Sequence, residues 1–217
     1  MSLGAVILAA GAGSRLGGVA KALLPIGDET YLARIVRTAR SVGVRDVVVV
    51  VGPPYGADVA AAARELARNA VAPPTADARS RGDDAGPTAP TNLRIVENPA
   101  PSRGMASSVA IGFAAIAATD VDAAWLWPVD HPFVAVNTLV QLADALGGHA
   151  AAPPRFGGRG GHPPLVARAL FSALAGCTDA PGGARDVLAR ADVIAVEVDD
   201  AGVVRDVDTP RDLAEAG

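Results

Sequence analysis

Leu8-Ala9-Ala10-Gly11-Ala12-Gly13-Ser14-Arg15-Leu16-Gly17, with Lys21 just beyond, is the stretch on which the fold turns. It continues an apolar run, Leu3 to Ala9, that predicts a buried strand. Small residues let a backbone wrap closely round an anion with its amide hydrogens pointing inward. Arg15 and Lys21 add charge that can follow negative charge as it builds on a transferring phosphoryl group. A dinucleotide loop would need a glycine where Leu16 stands, and an acid after the second strand, where the chain has Gly52. A Walker loop would need Gly-Lys-Ser/Thr, which is absent. A purely structural turn is the alternative that glycine content alone leaves open.

Outward from this loop, strand and helix patterns alternate. Thr30 caps a helix whose apolar positions Leu32, Ile35, Val36 and Ala39 recur at helical spacing, and Gly43 ends it. Asp46 to Val51 reads as a strand buried on both faces, as parallel sheets require. Ala57 to Ala70 reads as helix, Leu93 to Glu97 as strand, Ser102 to Ala118 as helix, and Ala123 to Val129 as strand. A helix follows from Asn137 to Leu146. Short helices near Ala169 and Ala184, a strand from Val193 to Val198, a turn at Gly202 and a helix from Pro210 complete the chain. Between Ala72 and Thr91 the composition shifts to Pro, Ala, Thr, Gly, Asp and Arg without apolar period, which predicts a flexible surface insertion at 72–91. The expected architecture is one α/β domain over 1–217, with a mostly parallel sheet between two helical layers. Ligands in such sheets sit at the carboxyl ends of the strands.

Composition narrows the function. A formal charge of −4 over 217 residues argues against nucleic-acid or anionic-membrane partners, since phosphate contacts there need a basic face. No apolar stretch approaches the ~20 residues of a membrane-spanning helix, and no secretory leader precedes the first strand. Cys177 is the single cysteine, so no internal disulfide or multi-cysteine metal site can form, as suits a reducing cytoplasm. Lys21 is the single lysine among 19 basic side chains. Against so strong an arginine bias, it is a candidate for a task that needs a compact ammonium.

Three further segments carry candidate chemistry. Pro128-Val129-Asp130-His131-Pro132 closes an apolar strand, and a carboxylate there suits a Mg²⁺ ligand, with helix capping as the alternative. His131 can be a ligand, a proton donor or a turn residue, and the preference of Mg²⁺ for oxygen favours the last. In Asp206-Val207-Asp208-Thr209-Pro210, Asp208 or Thr209 is a helix start, a role compatible with metal binding. In Asn98-Pro99 and Arg103-Gly104-Met105-Ala106-Ser107-Ser108, hydroxyls and free amides at a helix N-terminus can hold a base, ribose or phosphate, or simply cap the helix.

Taken in order, the glycine-rich loop with Lys21-Ala-Leu-Leu-Pro25, Asn98-Pro99, Gly104 to Ser108, Pro128-Val129-Asp130, Gly161-His162-Pro163, Gly183-Ala184-Arg185 and Asp206 to Pro210 resemble a family. It is that of the nucleotidyltransferases with a glycosyltransferase type A-like fold (the nucleotide-diphospho-sugar transferase fold), within it the molybdenum cofactor cytidylyltransferases and guanylyltransferases. The resemblance runs from residue 3 to about 214. It implies that Ala9, Ala10, Gly11, Gly13 and Ser14 hold a triphosphate with Arg15 and Lys21 on its oxygens. Ser107 and Ser108 would lie near the base or ribose. Asp130 would bind Mg²⁺, with Asp208 as second carboxylate and Asp206 open for the same place. Gly161, His162 and Arg185 would face the acceptor. The chain departs from the pattern in the spacing of Lys21 from Gly17, in Asp179 to Gly183, and at His131.

The implied reaction moves NMP from an NTP, CTP foremost and GTP next, to a small phosphorylated acceptor such as molybdopterin, with release of pyrophosphate. Arg15, Lys21 and Asp130 would carry it. A sugar- or polyol-phosphate nucleotidyltransferase, an NAD(P)-dependent oxidoreductase, and a non-catalytic protein delivering cofactor to a molybdoenzyme or its chaperone remain as alternatives.

Overall fold

The structure, a computed structural model, describes residues 1–11, 13, 16–69, 91–209 and 211–212. In chain order its strands are β1 (Leu3–Leu8), β2 (Pro25–Ile26), β3 (Glu29–Thr30), β4 (Val44–Val51), β5 (Asn92–Glu97), β6 (Ala123–Pro128), β7 (Ala151–Ala152), β8 (Pro154–Phe156), β9 (Arg159–Gly160), β10 (Leu165–Ala167) and β11 (Val196–Glu197). The α-helices are α1 (Tyr31–Ser41), α2 (Gly56–Asn69), α3 (Met105–Ile116), α4 (Val136–Leu146), α5 (Phe171–Ala175) and α6 (Ala184–Ala189).

The central sheet has the order β5-β4-β1-β6-β10-β7. The first four strands run parallel, and β10 is antiparallel to both β6 and β7. Residues alternate across it. In β1, Ala5 and Ile7 join a core with Leu32, Ile35 and Val36 of α1 and Leu139 and Leu142 of α4, while Val6 and Leu8 join Val109, Phe113 and Ile116 of α3 on the other face. Val47 to Val50 of β4 divide the same way and are fully buried. The unbroken valine run is therefore a strand covered on both sides, each side chain contributing about 1.5–3 kcal/mol by burial. The result is the expected three-layer α/β/α arrangement, with α1, α2 and α4 on one face and α3 and α5 on the other.

Local sequence explains the helix entries. Thr30 Oγ1 accepts the Ala33 amide at 3.3 Å, a cap worth about 1 kcal/mol, and the apolar stripe of α1 turns inward. Gly112 lets α3 lie close on the sheet, since a Cβ there would sit 2.3 Å from Val6 Cγ1.

Several boundaries differ from the sequence reading. The helix expected from Ser102 is a 3-10 turn at Pro101–Arg103 followed by α3, because Gly104 takes a φ of 96° between them. The strand expected over Val193 to Val198 narrows to β11, plus an isolated bridge from Val193 to Ala151. Gly157 and Gly158, both at positive φ, turn a short hairpin in which Arg155 pairs with Gly160. Residues 72–90 of the expected insertion lie outside the described residues. Its last member, Thr91, is buried and donates its hydroxyl to the Val44 carbonyl at 3.0 Å. Of the helix expected from Pro210, Arg211 and Asp212 are described and helical.

Candidate active site

From β1 the chain builds outward through β4 to β5, then crosses back to lay β6 on the other side of β1. The crevice at the carboxyl ends of β1 and β6 is thus the switch point where such sheets bind ligands. A cleft of about 340 Å³ opens there. Leu8, Ala9, Ala10, Gly11 and Gly13 form one wall, Pro101, Gly104, Met105 and Ser108 a second, and Pro128 to Asp130 with Lys21 and Asp208 the rest.

The glycine-rich loop is held by its own backbone. The amides of Leu16 and Gly18 both donate to the Gly13 carbonyl, at 2.9 and 3.0 Å. Gly13 has a φ of +55°, and a Cβ there would lie 2.1 Å from the Val19 carbonyl oxygen, so only glycine fits. The Tyr55 hydroxyl donates to the Gly18 carbonyl and ties the loop to the start of α2. Ser14 and Arg15, both expected phosphate ligands, lie outside the described residues.

Lys21 stands at the start of a 3-10 turn, Lys21–Leu23, and reaches into the cleft. Its Nζ is 3.3 Å from Asp130 Oδ2 and in direct contact with Asp208 Oδ1, across 187 residues of sequence. The two carboxylates are brought together by backbone: the Val207 amide donates to the Asp130 carbonyl at 3.1 Å. Asp130 does not cap the next helix, because the N-cap of α4 is Ala135 and carries no side-chain cap. Nor is Asp208 the cap that follows it. Thr209 Oγ1 accepts the Asp212 amide at 3.3 Å, while Asp212 Oδ2 accepts from the Thr209 amide at 2.7 Å and from the Asp208 amide at 3.1 Å. This reciprocal box leaves the Asp208 carboxylate directed at Lys21.

Asn98, to which the candidate segment gave no role of its own, organises the second wall. Its buried Nδ2 donates to Ser107 Oγ at 2.8 Å and to Ser108 Oγ at 2.9 Å, and its Oδ1 accepts the Ala100 amide. Both serines are buried, and neither caps α3; Ser107 donates to the Gly104 carbonyl at 2.7 Å. Ser108 lines the cleft, whereas Ser107 supports it from behind. Met105 on the rim is 61% exposed, and a large apolar side chain directly after a loop glycine is the signal in the sequence for such a position.

The residues expected to face an acceptor separate. Arg185 is exposed on α6, whose leading Gly183 packs against Ala106 of α3. Gly161 permits close contact, since a Cβ there would lie 2.6 Å from the Val203 carbonyl oxygen. His162 stacks behind Asp130 against His131, with ring centroids 4.9 Å apart. His131 is therefore more than a turn residue: it is buried, and its Nε2 lies 4.0 Å from Asp130 Oδ1. Burial lowers its pKa, more than the charge of Asp130 raises it. Burial likewise pushes His162 down to about 4, aided by His131 and opposed by Asp130.

Among the described residues no cluster of three or more His, Cys, Asp or Glu could hold a metal. The donor set present nonetheless suits a hard cation. Asp130 and Asp208 are two carboxylates gathered on one ammonium, and Mg²⁺ is commonly held by one or two carboxylates plus substrate phosphates.

Fold and cleft together define a nucleotidyltransferase. The chain belongs to the family of the MobA-like NTP transferase domain, whose model matches residues 5–195. Among solved structures it is similar to Rv0371c from Mycobacterium tuberculosis H37Rv, at 27% identity and a TM-score of 0.73, covering 100% of this chain and 97% of that one. A manganese complex of that protein gives 24% identity and a TM-score of 0.66 over 100% and 98% of the chains. A nucleotidyl transferase from Methanothermobacter thermautotroptrophicus shares the fold at 20% identity and a TM-score of 0.72, over 99% and 95%. So does the molybdopterin-guanine dinucleotide biosynthesis protein A of Archaeoglobus fulgidus, at 15% identity and 0.62, over 100% and 96%. None of the curated proteins compared with the chain matches it. Among the described residues no helix is long and apolar enough to cross a membrane.

Proposed function

We propose that this protein, as one nucleotidyltransferase domain, transfers NMP from an NTP to a small phosphorylated acceptor and releases pyrophosphate. The specific reading is CMP from CTP to molybdopterin in the cytoplasm, with GTP as the next donor and a molybdoenzyme or its chaperone as recipient. The observation that carries the chemistry is Lys21, set between Asp130 and Asp208 at the mouth of the glycine-rich loop. The motif order shared with the molybdenum cofactor branch supports the acceptor.

An acceptor phosphate is already anionic at neutral pH, so it attacks the α-phosphorus without a protein base. A bond forms from its oxygen to the α-phosphorus, the α–β bridging bond breaks, and pyrophosphate leaves with the electron pair. The protein's part is alignment and charge neutralisation. Ala9, Ala10, Gly11 and Gly13 offer backbone to the phosphates, with Ser14, Arg15 and Lys21 supplying polar and cationic side chains. Asp130 and Asp208 would hold Mg²⁺, which when bound neutralises charge on the reacting phosphates. Ser108, fixed by Asn98, lies toward the ribose or base, with Ser107 as its support. Gly161, His162 and Arg185 stand for the acceptor side; of these, Arg185 has the exposed position that direct contact requires.

The test is pyrophosphate release by purified protein with each of the four NTPs and Mg²⁺, against a panel of phosphorylated acceptors including molybdopterin. Release with CTP and molybdopterin above all other pairs is expected. Release with a sugar or polyol phosphate instead would move the protein to another acceptor class, and no release with any pair would remove the transferase reading.

A further inference from the structure

Lys21 sits between the two carboxylates proposed above as metal ligands. Its side chain is 14% exposed, less than that of Asp130 at 23% or Asp208 at 31%, so it is the most enclosed of the three. A partly desolvated ammonium needs counter-charge, and both carboxylates supply it. A divalent cation taking the same oxygens would meet a like charge already in place. Both cannot hold the pair in this arrangement. We propose that Lys21 is the resident counter-ion of the metal site: it neutralises Asp130 and Asp208, which the backbone brings together, and yields them only when nucleotide phosphates offer its ammonium a new partner. This rests on the metal reading given above.

The chemistry of lysine makes the exchange feasible. Its charge is compact, on a flexible four-carbon stem with three donors, so it can move from carboxylate to phosphate without the backbone shifting. The glycine-rich wall and Lys21 line the same cleft, so the new partner would arrive within that space. Metal and nucleotide binding are then coupled. The coupling is reciprocal: nucleotide raises metal affinity by the factor by which metal raises nucleotide affinity. An ammonium parked on the carboxylates also keeps two like charges from repelling each other while the site waits.

The experiment measures Mn²⁺ binding by the loss of the free-ion EPR signal, using full-length wild type, Lys21→Met and Asp130→Asn. Each is titrated alone and with α,β-methylene-CTP. Without nucleotide, Lys21→Met should bind Mn²⁺ about tenfold or more tightly than wild type, as expected if the lysine-free site is populated at about a tenth or less. Mn²⁺ should also raise the melting temperature of Lys21→Met more than that of wild type. Equal or weaker nucleotide-free binding by Lys21→Met, while Asp130→Asn loses Mn²⁺, overturns the counter-ion role and leaves the metal reading intact. Unchanged Mn²⁺ binding by Asp130→Asn overturns the metal reading itself. If Lys21→Met folds only when Mn²⁺ is present the proposal stands, and if Mn²⁺ fails to restore folding it falls.

Discussion

The imidazole of His162 lies against that of His131, centroids 4.9 Å apart and planes tilted by 43°, and neither Nδ1 has a hydrogen-bond partner among the described residues. The pair forms a neutral support behind Asp130, and that neutrality makes stability depend on pH. In the unfolded chain His162 takes up a proton near its ordinary value of 6.5, while in the fold it does so only at about 4. Between those values the unfolded state binds more protons, so stability is full above 6.5 and falls as pH drops towards 4. A shift of this size is worth as much as about 3 kcal/mol. Urea unfolding at intervals from pH 7 to pH 4.5 should show this slope in wild type and a clearly flatter one in His162→Gln. Equal slopes would mean that the ring charges freely in the fold.

Asp130→Asn keeps shape but removes charge. Transfer should be nearly abolished, because one of two carboxylates is lost from a site completed by substrate phosphates. NTP binding should suffer less, since the loop amides and Lys21 remain. The variant loses an ion pair that is partly solvated, so its melting curve should move by about 1 kcal/mol at most. Pyrophosphate release against Mg²⁺ concentration, beside a melting curve, checks both; full activity at ordinary Mg²⁺ sinks the metal role.

Asn98→Ala removes the amide that holds two buried serine hydroxyls. Leaving buried polar groups without partners costs about 1–3 kcal/mol. Loss of the anchor should also let Ser108 move, raising KM for the NTP more than it lowers kcat. A variant as stable as wild type, with unchanged KM, would show that this bracket does not shape the cleft.

Gly112→Ala sets two effects against each other. Alanine in a helix gains about 1 kcal/mol over glycine. The new methyl, however, would lie 2.3 Å from Val6 Cγ1 and 3.0 Å from Val50 Cγ2, in a fully buried layer. Overpacking of this kind costs about 1–3 kcal/mol, so the variant should be less stable on balance. Adding Val6→Ala should recover part of the loss, as thermal unfolding of the double variant would show. A stabilised single variant would mean that α3 is free to lift from the sheet.

The sheet's core strands and the helices of the first half were legible because they depend on short-range rules. Val47 to Val50 had to be a doubly covered strand, and Thr30 with the Leu32, Ile35, Val36 stripe had to begin a helix. The second half was harder. β7 and β10 carry two and three residues, too few for a period to emerge, and Leu165 is a strand residue only because Trp125 pairs with it. The serines show the same limit: their place near a helix start fits ligand binding and capping alike, and only the fold shows a buried Asn98 amide donating to both.

By itself the sequence determined that a small-residue loop would follow the first strand and that a proline-flanked carboxylate would end a buried one. Backbone dihedral freedom and burial period are local properties, written residue by residue. It singled out Lys21 too, by composition. Which carboxylates that lysine meets was settled only in three dimensions. Asp208 reaches Asp130 because the Val207 amide bonds to the Asp130 carbonyl, and its side chain meets Lys21 while Thr209 and Asp212 cap one another. A contact across 187 residues depends on how the whole chain closes on itself, and no local pattern encodes it.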